Sequence, residues 1–240
     1  MRAGLFNYWA LLSSSDIFRF MEKKGTRTLH HQDAITWLES SPILSASSFV
    51  TSLPDVSEFP ALSLEEWKSW FSRAVSLILS RCPDEGVAIF YQTDVKREGT
   101  WVDKGYLCQN AADRAGSSLL WHKVVCRIPP GKISFGRPAY SHLLCFSKGV
   151  KAEVPRSTQD VLVSAGEATW TRGMGVDACL LACRFILSET TTRTVVDPFC
   201  GHGTVLAVAN ELGLDAIGVE LSSKRVKKAK ALQCLNFQLA

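Results

Sequence analysis

The stretch Val195-Val196-Asp197-Pro198-Phe199-Cys200-Gly201-His202-Gly203-Thr204 decides how the rest of the chain is read. Its apolar pair reads as the end of a buried strand, and Val205 to Leu212 reads as a helix that Gly213 stops. Between them lies a turn whose two glycines have no Cβ to hold a ligand off the backbone. The first free N–H groups of the helix face the same space. Strand, glycine turn and helix N-terminus together make room for a cofactor close to the main chain. Farther on, Ala216-Ile217-Gly218-Val219-Glu220 reads as a second strand ending in a carboxylate. From that position folds of this kind hold a ribose diol. Two glycines alone are a weak signal; the whole string is a strong one.

The string D-P-F-C-G-x-G-T followed by I-G-V-E resembles the S-adenosylmethionine-binding motif of methyltransferases that act on base amino groups in nucleic acids. Here the motif comes last, an order similar to the circularly permuted β class of N-4/N-6 DNA methylases, and the resemblance runs over roughly residues 27–234. It implies an α/β, Rossmann-like sheet of seven strands, mainly parallel with one antiparallel strand, and helices on both faces. It also implies one methyltransferase domain over 1–240, with the catalytic half at 21–150 and the cofactor-binding half at 160–240. The implied cofactor is S-adenosyl-L-methionine. Asp197, Pro198, Phe199, Cys200, Gly201, Gly203 and Thr204 would form its turn, and Glu220 would take its ribose. Gly173 and Gly175, in the segment before the cofactor strand, would help hold the methionine end. Asp33 would accept from the adenine amino group; the same residue suits the N-cap of a helix starting at Ala34, and both can hold.

The catalytic half is less regular. Arg27 to His31 and Ser48 to Ser52 read as strands, and the second runs into Leu53-Pro54-Asp55. Ser63-Leu64-Glu65-Glu66 has the form of a capping box, and the helix behind it carries Trp67, Phe71, Val75 and Ile78 on one face. Val87 to Tyr91, Leu119 to Arg127 and Ser141 to Ser147 are three further strands, Lys148 to Gln159 a polar linker, and Gly173 to Leu187 a buried helix. Trp121-His122-Lys123 resembles the family's W-x-K strand. After its fourth strand the family carries D/N/S-P-P-aromatic, which accepts the hydrogens of the target amine and stacks on the base. This chain has Ser52-Leu53-Pro54-Asp55 there. Ser52, Pro54 and Asp55 are therefore the catalytic candidates, with Ser52 and Asp55 orienting or deprotonating the target. A carboxylate replaces the stacking ring, and Phe59, Trp67 and Tyr91 are alternatives for it that also fit a core.

Bulk properties set outer limits. The chain has 240 residues, 46% of them hydrophobic, enough for one sizeable core. A formal charge of +4 permits a nucleic acid partner without requiring one. Eight scattered cysteines with no C-x-x-C pair fit neither a zinc site nor a disulfide framework and point to an intracellular, reducing compartment; no metal is implied. No apolar run spans a membrane, and Met1 to Phe20 lacks the features of a signal peptide.

Other residues carry weaker signals. The loop after the fourth strand has no cysteine for carbon-5 methylation, and Cys200 reads as packing. Arg172 could meet the cofactor's carboxylate, and His202 could touch cofactor or substrate; either could equally face solvent. The run Lys224 to Lys230 reads as the solvated face of an outer helix. If a polynucleotide binds, Lys96, Arg97, Lys104, Lys132 and Arg137 are expected at its phosphates. No separate target-recognition domain is visible, so specificity could rest on a partner subunit, a homodimer or substrate shape, which favours RNA slightly over DNA. The expectation is a methyltransferase for a base nitrogen in RNA or DNA. A non-catalytic subunit supporting an active partner, and a methyltransferase for a small molecule or protein, stay open.

Overall fold

The computed structural model describes residues 24–97, 99–152, 157–170 and 172–233. Met1 to Phe20 and Cys234, on which readings above fall, lie outside the described residues. In chain order the elements are β1 (Arg27–His31), α1 (Ala34–Ser40), β2 (Ser47–Thr51), a 3₁₀ turn (Val56–Glu58), α2 (Leu64–Arg81), β3 (Ala88–Gln92), β4 (Val95–Arg97), β5 (Thr100–Val102), α3 (Lys104–Arg114), β6 (Ser118–Cys126), β7 (Tyr140–Ser147), β8 (Val161–Leu162), α4 (Val176–Glu189), β9 (Thr194–Asp197), α5 (Thr204–Glu211), β10 (Asp215–Glu220) and α6 (Ser223–Ala231).

The main sheet has the order β1-β10-β9-β2-β3-β7-β6-β8. β7 pairs antiparallel with both neighbours, and every other pairing in this sheet is parallel. The sequence predicts seven strands; the two-residue β8 adds an eighth at the edge, just past the segment Lys148 to Gln159 that reads as a polar linker. Lys123 explains that addition. Its buried ammonium donates to the carbonyls of Thr158 and Gln159 and meets Asp160 at 3.5 Å, which pins the segment beside β6.

Two cores sandwich the sheet. Side chains on a strand alternate between faces, so Phe49, Phe90, Leu144 and Val196 join Trp37, Leu38, Trp67, Phe71, Ile78 and the small residues of α3 on one side. Val50, Ile89, Leu143, Cys145 and Val195 join α4, α5 and Ala229 on the other. β2 and β3 are buried at every position, and β3 reads as the continuous apolar run expected of such a strand, whereas β2 buries Ser47, Ser48 and Thr51 beside Phe49 and Val50. Capping agrees with the sequence: Ser63 accepts from the Glu66 N–H while the Glu66 carboxylate takes the Ser63 N–H, and Ser222 caps α6. The seven described cysteines are free thiols. No helix among the described residues is long and apolar enough to cross a membrane.

Strand β9, ninth in the chain, lies third in the sheet, between β10 and β2. The glycine turn therefore opens at the carboxyl ends of the central strands, beside the end of β2 where Ser52 begins its loop. In open α/β sheets this crevice is where ligands bind.

Candidate active site

The turn after β9 is built by its own first residue. Asp197 is buried, and its Oδ1 accepts from the Thr51 hydroxyl at 2.6 Å and from the Phe199 N–H at 3.1 Å. One carboxylate thus ties the end of β9 to the end of β2 and starts the turn. Burial pushes its pKa up to about 7, against the lowering effect of those two hydrogen bonds. The turn closes when the Gly203 N–H donates to the Cys200 carbonyl at 2.7 Å, while the Cys200 N–H reaches the Val219 carbonyl. Gly201 and Gly203 have φ of +54° and +82°, which favours glycine.

A cavity of about 360 Å³ lies over this turn. Pro198, Phe199, Cys200, Gly201 and Thr204 line it on one side, Glu220 and Asp33 close it from β10 and α1, and Ser52, Leu53 and Pro54 enter from the loop after β2. Glu220 is buried; its Oε1 accepts from the Ser222 N–H at 2.7 Å and lies 3.7 Å from Arg225. Asp33 caps α1 through Oδ1, which takes both the N–H and the hydroxyl of Thr36. Its cap and its place in the cavity coexist. The Thr204 hydroxyl shares a 2.6 Å hydrogen bond with Thr169, joining α5 to the segment before α4. A Cβ on Gly201 would meet the Trp170 ring at 3.2 Å, so the cradle has no space for a side chain.

Two of the residues expected in the cofactor site, and one catalytic candidate, sit differently. Gly173 lines the cavity, but Gly175 does not. Gly175 is the N-cap of α4, where a Cβ would fall 2.1 Å from the Ala165 carbonyl oxygen; close packing requires it. Gly203 is likewise outside the lining, and a Cβ there would meet Ala229 of α6 at 2.9 Å. Asp55 parts from Ser52 and Pro54. It caps the 3₁₀ turn, accepting from Ser57, and its second oxygen meets the Lys104 ammonium at 3.3 Å. It lines a second cavity of about 290 Å³, which adjoins the first through Ser52, Leu53, Glu58, Arg172 and Gly173. Cys200 is buried, and burial pushes its thiol well above the usual range, consistent with packing.

The rings also sort themselves. Trp67 belongs to the core, Tyr91 is buried and lines the second cavity, and Phe59 lines the first and packs on Trp70 at 4.4 Å. Trp70 in turn meets Phe199 edge-on at 5.9 Å. Trp170 stacks on His202 at 4.9 Å and lies under the Arg225 guanidinium at 5.1 Å. Arg172 is held by Glu58 at 3.3 Å, at the border of the two cavities. Trp70 and Trp170 are absent from the sequence reading. Trp70 falls on a helix face that reads as solvent-exposed, and Trp170 sits in a segment without periodicity. Lys104 is not a surface cation either: its side chain is 3% exposed, and burial holds its pKa below the ordinary lysine range. Lys132 lines neither cavity.

The fold is that of solved S-adenosylmethionine-dependent methyltransferases. The family model for DNA methylases of the N6/N4 type matches residues 180–231, the helix before the glycine turn through α6. A protein from Thermus thermophilus described as a DNA modification methylase, solved in complex with S-adenosyl-L-methionine, shares the fold with a TM-score of 0.65 at 21% identity, covering 85% of this chain and 92% of its own. PvuII DNA methyltransferase, cytosine-N4-specific, gives a TM-score of 0.67 at 18% identity, covering 90% and 89%. The M1.HpyAVI–SAM complex gives 0.56 at 13% identity, covering 85% and 98%. No curated protein sequence matches the chain. Residues 180–231 are thus similar to DNA methylases of the N6/N4 type, and the fold is shared with solved DNA methyltransferases.

Proposed function

We propose that the protein transfers a methyl group from S-adenosyl-L-methionine to an amino group of a base in DNA. The observation that carries this reading is the continuity of one cavity. The glycine turn, Asp33 and Glu220 form its cofactor side, and Ser52 to Pro54 reach into it from β2. The bound cofactor supplies an electrophilic methyl carbon on a sulfonium. This chain's residues have three tasks toward it. Glu220 and Asp33 offer carboxylate oxygens to a ribose diol and an amino group, and the backbone at Gly201 allows close approach. The Ser52 hydroxyl has no hydrogen-bond partner among the described residues and can accept from the target amine. Phe59, Trp70 and Phe199 supply an aromatic wall that can take a flat ring and exclude water.

Methylation of an amine releases one proton, and the carboxylate at Asp55 is the sequence candidate to receive it. Its ion pair with Lys104 and its cap to Ser57 favour a positioning role instead. In this reading Asp55 fixes the loop, Ser52 alone meets the amine, and the proton released from the methylated nitrogen passes to solvent. The expected preference for RNA has no support among the relatives, whose names specify DNA where they name a substrate.

The test is methyl transfer from labelled S-adenosylmethionine to separate pools of DNA, transfer RNA and ribosomal RNA. Label in DNA, located on an exocyclic amine by nucleoside analysis, is expected. Label confined to RNA would overturn the substrate, and label in none of the three would overturn the nucleic acid reading.

A further inference from the structure

The second cavity holds a cation where a protein rarely leaves one without cause. Lys104 lines it with a side chain only 3% exposed. Its Nζ meets Asp55 at 3.3 Å and lies over the Trp67 ring at 5.5 Å. An ammonium has three donors, so two remain for another acceptor. Burying a charge with donors unsatisfied is costly, which makes the site one prepared for a ligand.

The charges around it have one sign to spare. The acids lining the cavity are Asp55, Glu58 and Asp94. Asp55 is taken by Lys104 and Glu58 by Arg172, at 3.3 Å each. Asp94 is ringed by donors: the Trp101 indole at 3.0 Å, the Lys104 N–H at 2.9 Å and the His142 ring at 3.0 Å. Burial would raise its pKa, but these hydrogen bonds outweigh it and hold it as a carboxylate. Lys96, Arg97, Arg127 and Arg137 also line the cavity, and none has an acidic partner among the described residues. The cluster of Asp94, Asp103 and His142 is within metal-ligand reach, yet the donors already on Asp94 account for it without an ion.

We propose that this cavity is an oxyanion site for a phosphate group of the substrate, with Lys104 as its inner contact and Arg97 and Arg137 at its rim. It rests on the DNA reading above. The shared Ser52 and Leu53 put this phosphate next to the place where the target base meets the methyl donor. Asp55 then has a second task, holding the Lys104 ammonium in place. The same chemistry could come from a phosphodiester of the polynucleotide or from a free phosphate.

Titration calorimetry of the full chain with inorganic phosphate tests it, with S-adenosylmethionine affinity measured on every variant as the check on folding. One phosphate per chain is expected, bound at least tenfold more weakly by Lys104→Met with cofactor affinity unchanged. Because a buried substitution can disturb the loop, Arg97→Ala and Arg137→Ala provide exposed variants, each expected to weaken phosphate at least threefold. Phosphate acting as a competitive inhibitor against DNA assigns the site to the phosphodiester; phosphate binding alongside DNA without inhibition assigns it to a free anion. No phosphate binding by the wild type, or equal binding by all three variants, overturns the site. Phosphate binding lost in Lys104→Met but no label entering DNA would sink the DNA reading and leave the site standing. Labelled DNA with no effect of phosphate or of these substitutions would do the reverse.

Discussion

The two sides of the cavity solve the same problem differently. On the cofactor side the turn itself is set locally: Asp197 takes the Phe199 N–H, two glycines accept left-handed backbone, and Ser222 orients Glu220 from two residues away, while Thr51 and Thr169 tie it to β2 and to the segment before α4. On the catalytic side the fixed point is distant. The loop Ser52 to Asp55 is held by Lys104 of α3, across a hairpin that neither core includes in full. A site made of backbone and neighbours survives as a contiguous motif, whereas one made by a distant ion pair changes its residues and keeps its shape by other means. The stretch that the DNA methylase family model matches, residues 180–231, includes the turn and not the Ser52 to Asp55 loop.

Substitutions can separate the two sides. Gly201→Arg has the largest expected effect. A side chain there meets both a positive φ and the Trp170 ring, so S-adenosylmethionine binding should fall at least hundredfold, about 2.8 kcal/mol. Unchanged affinity in calorimetry would remove the glycine turn from the site.

Asp197 gives a pH signature next in size. Its folded pKa of about 7 lies above its ordinary value of 3.8, so the native state holds a proton that the unfolded chain releases between those values. Stability from this group is therefore fully present below about pH 4 and is lost as pH rises through about 7. At roughly 1.4 kcal/mol per pH unit this amounts to about 4 kcal/mol as an upper figure. Urea midpoints across this range should decline in the wild type, and the decline should be smaller in Asp197→Asn. Parallel curves would mean that the carboxylate stays charged when folded.

Trp170→Ala removes a ring that lies against Gly201 and between His202 and Arg225, and cofactor affinity should drop about tenfold, about 1.4 kcal/mol. On the other side of the cavity, Asp55→Ala should spare cofactor affinity and lower turnover at least tenfold. Asp55→Asn keeps hydrogen-bonding oxygen for Lys104 and the cap, and should retain turnover within about threefold, under about 0.7 kcal/mol of barrier. Background turnover in Asp55→Asn would make the carboxylate the proton acceptor after all. Smallest of all, Lys227→Ala and Lys230→Ala lie on the exposed face of α6 and should leave both cofactor and DNA affinity unchanged in binding titrations.

What the sequence shows and conceals follows the same division. The strand-turn-helix at Asp197 to Thr204, the acid at Glu220, the capping box at Ser63 and the large-residue face of α2 are all visible because their determinants lie within a few residues of one another. Helix α3 escapes the reading because its buried face is Gly105, Cys108, Ala111 and Ala112, too small to show a helical period. The hairpin of β4 and β5 is short and exposed, with only Val102 buried. Strand β8 depends on Lys123, a residue whose family resemblance says nothing of its bonds to Thr158 and Gln159. Asp55 is the plainest case. Its residue type suggests a base, and only the distant lysine shows it as a clamp. Gly175 and Gly203 teach the converse, since motif glycines can be required by packing against Ala165 and Ala229 without touching the cavity.

The most direct test pairs two numbers on one variant, Ser52→Ala: S-adenosylmethionine affinity by calorimetry and single-turnover methyl transfer to DNA. Affinity within twofold of the wild type is expected, with transfer reduced at least a hundredfold, about 2.7 kcal/mol of barrier. Wild-type transfer would remove Ser52 from the amine, and loss of cofactor affinity would show that the two sides of the cavity are not separable.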